Sequence, residues 1–381
     1  MIVKDLEERG GMRRLGIIVN PIAGMGGKVG LKGTDGEEAL RKALALGATP
    51  IAPSRARRYL RRLKGYELKV ELYAAAGLMG EEEALEEGLK PVKVGEAKEK
   101  TGPEDTVEAA KAMAELGVEL IAFVGGDGTA RDVCRAINGR VPCIGIPSGV
   151  KVYSSAFGFS PENSAELTRL FFEGVAELKD CEVMDIDEEA FRRGELRVKL
   201  YGYLKCPYLP GYLQSAKGFE MEVDDSENKK AIARYVKEKL IEPGTIYILG
   251  PGTTVKAVAE ELGVEKTPLG VDVYLDGKLI AKDVGEKDLL RILSKLNLPV
   301  KVVVSPLGRQ GFILGRGNQQ ISPAVLRRAG REGLIVLATR AKLMETPALR
   351  VDTGDPELDK EFRGYLRVII DYNEEALLKV V

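Results

Sequence analysis

Short apolar runs alternate with glycine-rich breaks along this chain, and longer segments with helical spacing fill the intervals. Leu15 to Val19, Leu120 to Val124 and Val141 to Ile146 are too short for helices. They are also too uniformly apolar for half-exposed strands, which is the pattern of strands covered on both faces of a parallel sheet. Leu68 to Tyr73 and Val92 to Val94 read as further strands. Helical spacing marks Glu37 to Leu46, Pro53 to Leu63, a stretch from Pro103 to Leu116 closed by Gly117, and Glu162 to Phe172. After Thr129 it resumes at Val133, Ala136 and Ile137 until Asn138-Gly139 stops it. The leader, residues 1–14, is charged. Repeated βα units of this kind predict a Rossmann-like parallel sheet.

Beyond that, Cys181 to Ile186 and Leu196 to Leu200 read as strands, and residues 206–218 as a Pro- and Gly-rich loop or hinge. A helix is predicted over Asn228 to Leu240, with Ile232, Tyr235, Val236 and Leu240 on one face, followed by a buried strand, Thr245 to Leu249. Asp276-Gly277 forms a hairpin turn. Val300 to Val304, Leu334 to Leu337 and Leu366 to Ile370 complete the strands. The expected fold is α/β with two domains and a cleft between them. Residues 1–160 form the nucleotide- and phosphate-binding domain. Residues 161–381 form a second, substrate-selecting α/β domain, whose C-terminal residues could pack back on the first.

The candidate chemistry lies at the breaks. Gly125-Gly126-Asp127-Gly128-Thr129 follows a buried strand and opens a helix. The glycines let a ligand approach the backbone, and the helix N-terminus supplies free N–H groups and a positive dipole end that suit phosphate. Asp127 would repel such a ligand unless it holds a metal, takes a proton, or merely caps the helix. Ser148 and Gly149 close the next strand, and Asn20 and Gly24 stand in the loop after the first. In the second half, Gly250, Gly252, Thr253 and Thr254 repeat the strand–glycine–helix pattern. Arg316 and Asn318 form a third such element, with Arg316 a cation able to fork onto a phosphate. Either reading, phosphate cradle or plain turn, remains open for both. Asp272 is a candidate metal ligand, with a solvated carboxylate as the alternative, and the arginines of Arg55 to Arg62 read as a solvated face.

GGDGT after a buried strand resembles the signature of the NAD kinase, diacylglycerol kinase and sphingosine kinase superfamily. Asn20-Pro21-Ile22-Ala23-Gly24 is similar to its Asn-Pro-x-x-Gly turn, and Pro147-Ser148-Gly149 falls where the lipid kinases carry a Pro-x-Gly-Thr loop. The whole chain resembles the ATP-NAD kinase-like or acetoin-catabolism-X-like branch. That resemblance implies an enzyme of the kinase class using ATP or polyphosphate with Mg²⁺ or Mn²⁺. Asp127 would be its catalytic residue and a metal contact, and the glycines, Thr129 and Asn20 would contact nucleotide.

Composition narrows the alternatives. The chain has no histidine, which removes Ser-His-Asp and Cys-His catalysis and His-ligated metals. Any metal would then be a hard ion held by oxygen. Lys and Arg number 57 against 58 Asp and Glu, so no net field favours nucleic acid or membrane. Cys134, Cys143, Cys181 and Cys206 show no CxxC spacing, and there is no signal-peptide pattern. These point to a reducing, cytoplasmic setting. The expected function is a metal-dependent phosphotransferase acting on a nucleotide and a small-molecule or dinucleotide hydroxyl. A phosphatase or phosphosugar-handling enzyme and a nucleotide sensor without turnover are the alternatives, and a homo-oligomer is left open.

Overall fold

The computed structural model describes residues 12–29, 37–148, 152–186, 198–209, 213, 225–307, 310–346 and 348–381. The chain divides into two compact units, residues 1–24 with 50–217 and residues 25–49 with 218–381.

The first unit begins with β1 (Arg13–Val19), so the last residues of the charged leader are already in a strand. After a crossing that carries helix α1 (Glu37–Ala45) in the second unit, the chain returns for helix α2 (Ala52–Lys64) and β2 (Val70–Ala75). Then follow α3 (Glu81–Glu86), β3 (Val92–Val94), α4 (Pro103–Glu115), β4 (Leu120–Gly125), α5 (Asp127–Ile137), β5 (Cys143–Pro147) and α6 (Pro161–Phe172). The five strands pair in the order β3-β2-β1-β4-β5, every neighbour parallel. β4 is buried at every position, as its unbroken apolar run requires when helices cover both faces. Chain order reverses between β1 and β4. In an open α/β sheet the carboxyl ends of the strands at such a point frame the ligand crevice.

The arginines of α2 divide by face. Arg57 pairs with Glu86, the last residue of α3, and Arg61 with Glu87 just past it, as a solvated face would. Arg55 is buried instead, and Arg58 forks onto Glu162 of α6.

An antiparallel pair, β6 (Glu177–Ile186) and β7 (Val198–Tyr208), also belongs to the first unit. Its inner face, with Cys181, Val183, Leu204 and Cys206, joins the same core as β4 and β5. Both strands thus belong to the first unit, although they lie beyond residue 160, in the span expected from sequence to form the second domain. Cys206 pairs with Lys179 in the ladder, so the expected hinge at 206–218 opens as strand. Residues 210–212 and 214–218 lie outside the described residues.

The second unit holds a seven-stranded sheet. Its strands are β8 (Ile246–Leu249), β9 (Asp272–Leu275), β10 (Lys278–Ala281), β11 (Val300–Val304), β13 (Leu334–Leu337), β15 (Gly364–Asp371) and β16 (Glu374–Val380). A separate pair is formed by β12 (Phe312–Leu314) and β14 (Arg350–Val351). The order is β10-β9-β8-β11-β13-β15-β16, with β8, β11, β13 and β15 a parallel block. Asp276 and Gly277, both at positive φ, make the β9–β10 turn, which a two-residue hairpin of this twist demands. Residues 25–49 are tied to this unit by close approach. A Cβ on Gly27 would stand 1.5 Å from Gln319 Oε1, and one on Gly47 2.4 Å from Lys287 Nζ.

Candidate active site at the strand ends

Three loops converge at the β1/β4 switch point. The backbone N–H of Asn20, the first residue past β1, donates to Val124 O of β4 at 3.0 Å. Its side-chain Nδ2 donates to Thr129 Oγ1 at 3.1 Å, and its Oδ1 accepts from Ile22 N at 3.3 Å. The Asn-Pro turn is thus clasped to the GGDGT turn. Gly24, at φ 81°, brings the same loop against β5, since a Cβ there would lie 2.2 Å from Ser148 O. Ser148 N donates to Gly125 O at 3.1 Å, and the Ser148 hydroxyl is fully buried with no partner among the described residues.

Within GGDGT the glycines differ in their reasons. A Cβ on Gly125 would meet Thr129 Oγ1 at 2.2 Å, so this glycine makes room for Thr129 under the turn. At Gly128 the nearest atoms to a Cβ, Arg131 Nη2 and Asp185 Oδ2, stand 3.9 and 4.0 Å away, leaving the first turn of α5 uncrowded. Gly126 is the N-cap of α5, in extended backbone, and no side chain caps that helix.

Asp127 is therefore not the cap. Its carboxylate turns to the segment after β5, where Oδ2 accepts from Tyr153 N at 2.7 Å. Oδ1 accepts from Ser154 N at 2.9 Å and Ser154 Oγ at 2.6 Å. It is 8% exposed. Burial pushes its pKa up to about 7 against those three hydrogen bonds, and Asp185 adds a little in the same direction. A carboxyl held near neutrality in a crevice is suited to exchange a proton at working pH. Asp185 is itself paired with Arg131 at 2.7 Å. Tyr153, Ser154 and Asp185 lie 26 to 58 residues from Asp127 in the chain, and no local pattern announces them. Gly149 lies outside the described residues.

The second unit's candidates separate into two groups. Gly250, Gly252, Thr253 and Thr254 stand together at the carboxyl end of β8, where a helix starts at Thr253 (Thr253–Glu261). Arg316 and Asn318 do not join them at a surface. The Arg316 side chain has no exposure, its Nε lies 3.5 Å from Asp352 Oδ2, and its guanidinium stacks over Phe312 at 4.2 Å. Asn318 ties its own loop, accepting from Gly315 N at 2.9 Å and donating to Ile313 O at 2.8 Å. The glycines there serve packing: a Cβ on Gly315 would stand 1.8 Å from Asp352 O. Asp272 is fully buried, and its oxygens accept from Thr267 N, Thr267 Oγ1 and Asp283 N at 2.6 to 2.7 Å. Its alternatives on sequence were a metal ligand or a solvated carboxylate. It is not solvated, and its oxygens organise the loop between Thr267 and Asp283 by accepting these three hydrogen bonds. Among the described residues no group of three or more Cys, Asp or Glu is arranged to hold a metal.

The ATP-NAD kinase N-terminal domain model matches residues 15–176, and the ATP-NAD kinase C-terminal domain model matches residues 243–380. The chain belongs to the NAD kinase-like superfamily. The first match runs from Leu15 in β1 through GGDGT and the Ser154 segment, stopping short of Asp185, and the second covers the seven-stranded sheet. Among curated proteins none matches the chain. A solved structure of the branched-chain amino acid transporter substrate-binding protein LivJ from Streptococcus pneumoniae, in complex with isoleucine, is similar at 10% identity. That match covers 88% of this chain and 67% of that one with a TM-score of 0.25, too slight a likeness to bear on fold or activity. No helix among the described residues is long and apolar enough to cross a membrane.

Proposed function

We propose that this superfamily member is a metal-dependent phosphotransferase that moves a phosphoryl group from ATP or polyphosphate to a hydroxyl of a small molecule or dinucleotide. The observation that carries the reading is the placement of the GGDGT turn at the β1/β4 switch point, clasped to Asn20. Donor phosphates would lie against the uncapped start of α5, where N–H groups and the dipole favour anions. Thr129, held by Asn20, would present its hydroxyl proton to them, and the buried, unpartnered Ser148 hydroxyl would serve the same crevice. Asp127 would take the acceptor's proton or contact a metal. Transfer of this kind rests on positioning and charge neutralisation more than on covalent chemistry.

A resident metal cage does not fit the described residues. A Mg²⁺ or Mn²⁺ that arrives on the polyphosphate does, because such an ion keeps most of its waters and needs only one or two protein carboxylates. Asp127 and Asp185 are the carboxylates beside the turn. Bound there, the ion would neutralise charge on the phosphates. The four cysteines are free, in keeping with a reducing cytoplasm.

The test is turnover of ATP and of polyphosphate, with Mg²⁺ or Mn²⁺, across a panel of dinucleotide and small-molecule acceptors, in the wild type and in Asp127→Asn. Loss of the charged group should lower turnover by about 10²–10⁴-fold. Because the amide would also set its NH₂ against one of the donors now met by carboxylate, the variant's stability is measured alongside. Near-normal turnover in a folded Asp127→Asn protein would sink the catalytic assignment. Tight nucleotide binding without any turnover would leave a sensor.

A further inference from the structure

The second unit contains a switch point of its own. β8 and β11 are parallel neighbours, and chain order departs from β8 to opposite sides, β9 to one and β11 to the other. Gly250 N, the first group past β8, donates to Val303 O of β11 at 2.9 Å. This is the contact that Asn20 N makes with Val124 O in the first unit, at 3.0 Å. A glycine-proline turn follows in one case and an asparagine-proline turn in the other.

What stands at this second crevice is chemically open. Gly252 is at φ 116° and ψ 157°, and a Cβ there would meet nothing within 4 Å. The nine-residue helix Thr253–Glu261 starts at that glycine with no side-chain cap. Thr254, in its first turn, has a fully buried hydroxyl with no partner among the described residues. Helical Cα–Cβ bonds lean toward the N-terminus, so that hydroxyl lies at the end of the helix where the free N–H groups are. A second hydroxyl, Ser322 Oγ, is 1% exposed and likewise without a partner among the described residues. It follows Ile321, whose Cδ1 lies 3.8 Å from the Cβ position of Gly250. A cation reaches the same edge. Lys342 Nζ donates to Ser305 Oγ at 3.0 Å, one residue past Val304, whose Cγ1 lies 3.2 Å from that Cβ position.

An unpartnered buried hydroxyl costs folding free energy, and one in the first turn of an uncapped helix, beside an open glycine turn and a lysine at the same sheet edge, makes a site that a ligand completes. We propose that the β8/β11 crevice is an oxyanion site for a phosphate group, separate from the GGDGT crevice. Thr254, the first-turn N–H groups of its helix and Lys342 would hold the ligand. The proposal does not rest on the phosphotransferase reading of the first unit.

The experiment uses the full chain in a Thr129→Val background, which disables the hydroxyl of the first crevice. Calorimetric and thermal-shift titrations are run with inorganic phosphate and, in a parallel arm, with adenosine 5′-monophosphate. Thr254→Val keeps the shape and removes only the hydroxyl. Without ligand its melting temperature should equal or exceed that of its parent, because an unsatisfied group has gone. With phosphate the parent should be stabilised, and the variant should bind about tenfold more weakly, the worth of a hydrogen bond to a charged group. Lys342→Met should weaken binding as well, and it guards against a packing effect at Thr254. Tighter binding of the nucleotide arm would assign the site to a phosphorylated metabolite, and equal binding to free phosphate. Binding that is absent in the parent, or unchanged in both variants, overturns the proposal.

Discussion

Asn20 and Thr129, separated by 109 residues, meet through one hydrogen bond of 3.1 Å. It joins the loop after the first strand to the turn that opens α5. The bond occupies one acceptor position of the threonine hydroxyl and leaves that hydroxyl's own proton to be offered elsewhere. Asn20→Ala removes this bond and the one from Ile22 N. It should cost about 1–3 kcal/mol of stability, two ordinary hydrogen bonds' worth, and weaken nucleotide binding. Chemical denaturation and nucleotide titration check the two parts, and an Asn20→Ala protein with unaltered nucleotide affinity would detach the clasp from the function.

Arg316 gives a contrasting expectation. Its side chain is buried on Asp352 and Phe312, so Arg316→Ala should act on folding rather than on ligand affinity. Removing one partner of a buried pair typically costs about 3–5 kcal/mol, measurable as a lower denaturation midpoint with unchanged slope. Phosphate affinity of the folded fraction should be unchanged. A stable variant with weakened phosphate binding would restore the cation to a ligand role.

Asp272 should behave as a loop organiser. Asp272→Ala strands Thr267 N, Thr267 Oγ1 and Asp283 N, so the loop between Lys266 and Asp283 should loosen and stability should fall by a few kcal/mol, about 1–3 for each donor left buried and unpaired. The Mg²⁺ or Mn²⁺ dependence of turnover should be the same as in wild type. A rise in the metal concentration needed for half-maximal activity would show that the carboxylate serves the ion after all.

Glu83, which has no part in either proposed site, supplies a pH signature of its own. It lies on α3 at 2% exposure, with Oε2 unpartnered among the described residues, and burial pushes its pKa up to about 7. A carboxyl whose folded pKa is raised binds its proton more tightly in the folded state. Its contribution to stability is then complete below about pH 4.5 and is lost as pH rises through about 7. Glu83→Gln is neutral throughout, so its stability advantage over wild type should be small in acid and grow up to neutrality. Parallel stability–pH curves for the two proteins would contradict this.

The strands and helices were largely legible because their patterns are local. Val92 to Val94 and Val300 to Val304 appear as read, and the parallel sheet follows from the uniformly apolar runs at β1, β4 and β5. The glycine loops were less legible, because the same residues answer two different needs. Gly252 opens space in front of a helix, whereas Gly315 exists to let its backbone lie against Asp352, and nothing in the local sequence separates the two. The partners of Asp127 could not be read at all. Its donors come from Tyr153 and Ser154, across a strand and a turn, and only the folded sheet brings them to one carboxylate. Arg55 shows the same limit on a helix, since it belongs to a run of arginines yet lies buried.

Residues 25–49 pack in the second unit although the strands on either side of them belong to the first. The order of synthesis therefore differs from the order of completion. While the ribosome is producing β2 through β7, the segment from Met25 to Thr49 must wait without its partners, Gln319 and Lys287 among them. The first unit has to close its sheet around a looped-out stretch, which is anchored only when the last third of the chain has emerged. A protein truncated after Lys217 should carry that stretch as a protease-sensitive tether, and one that begins at Gly218 should lack a piece of its own surface. Neither half of this chain is a separable part, and a single cut cannot free one unit from the other.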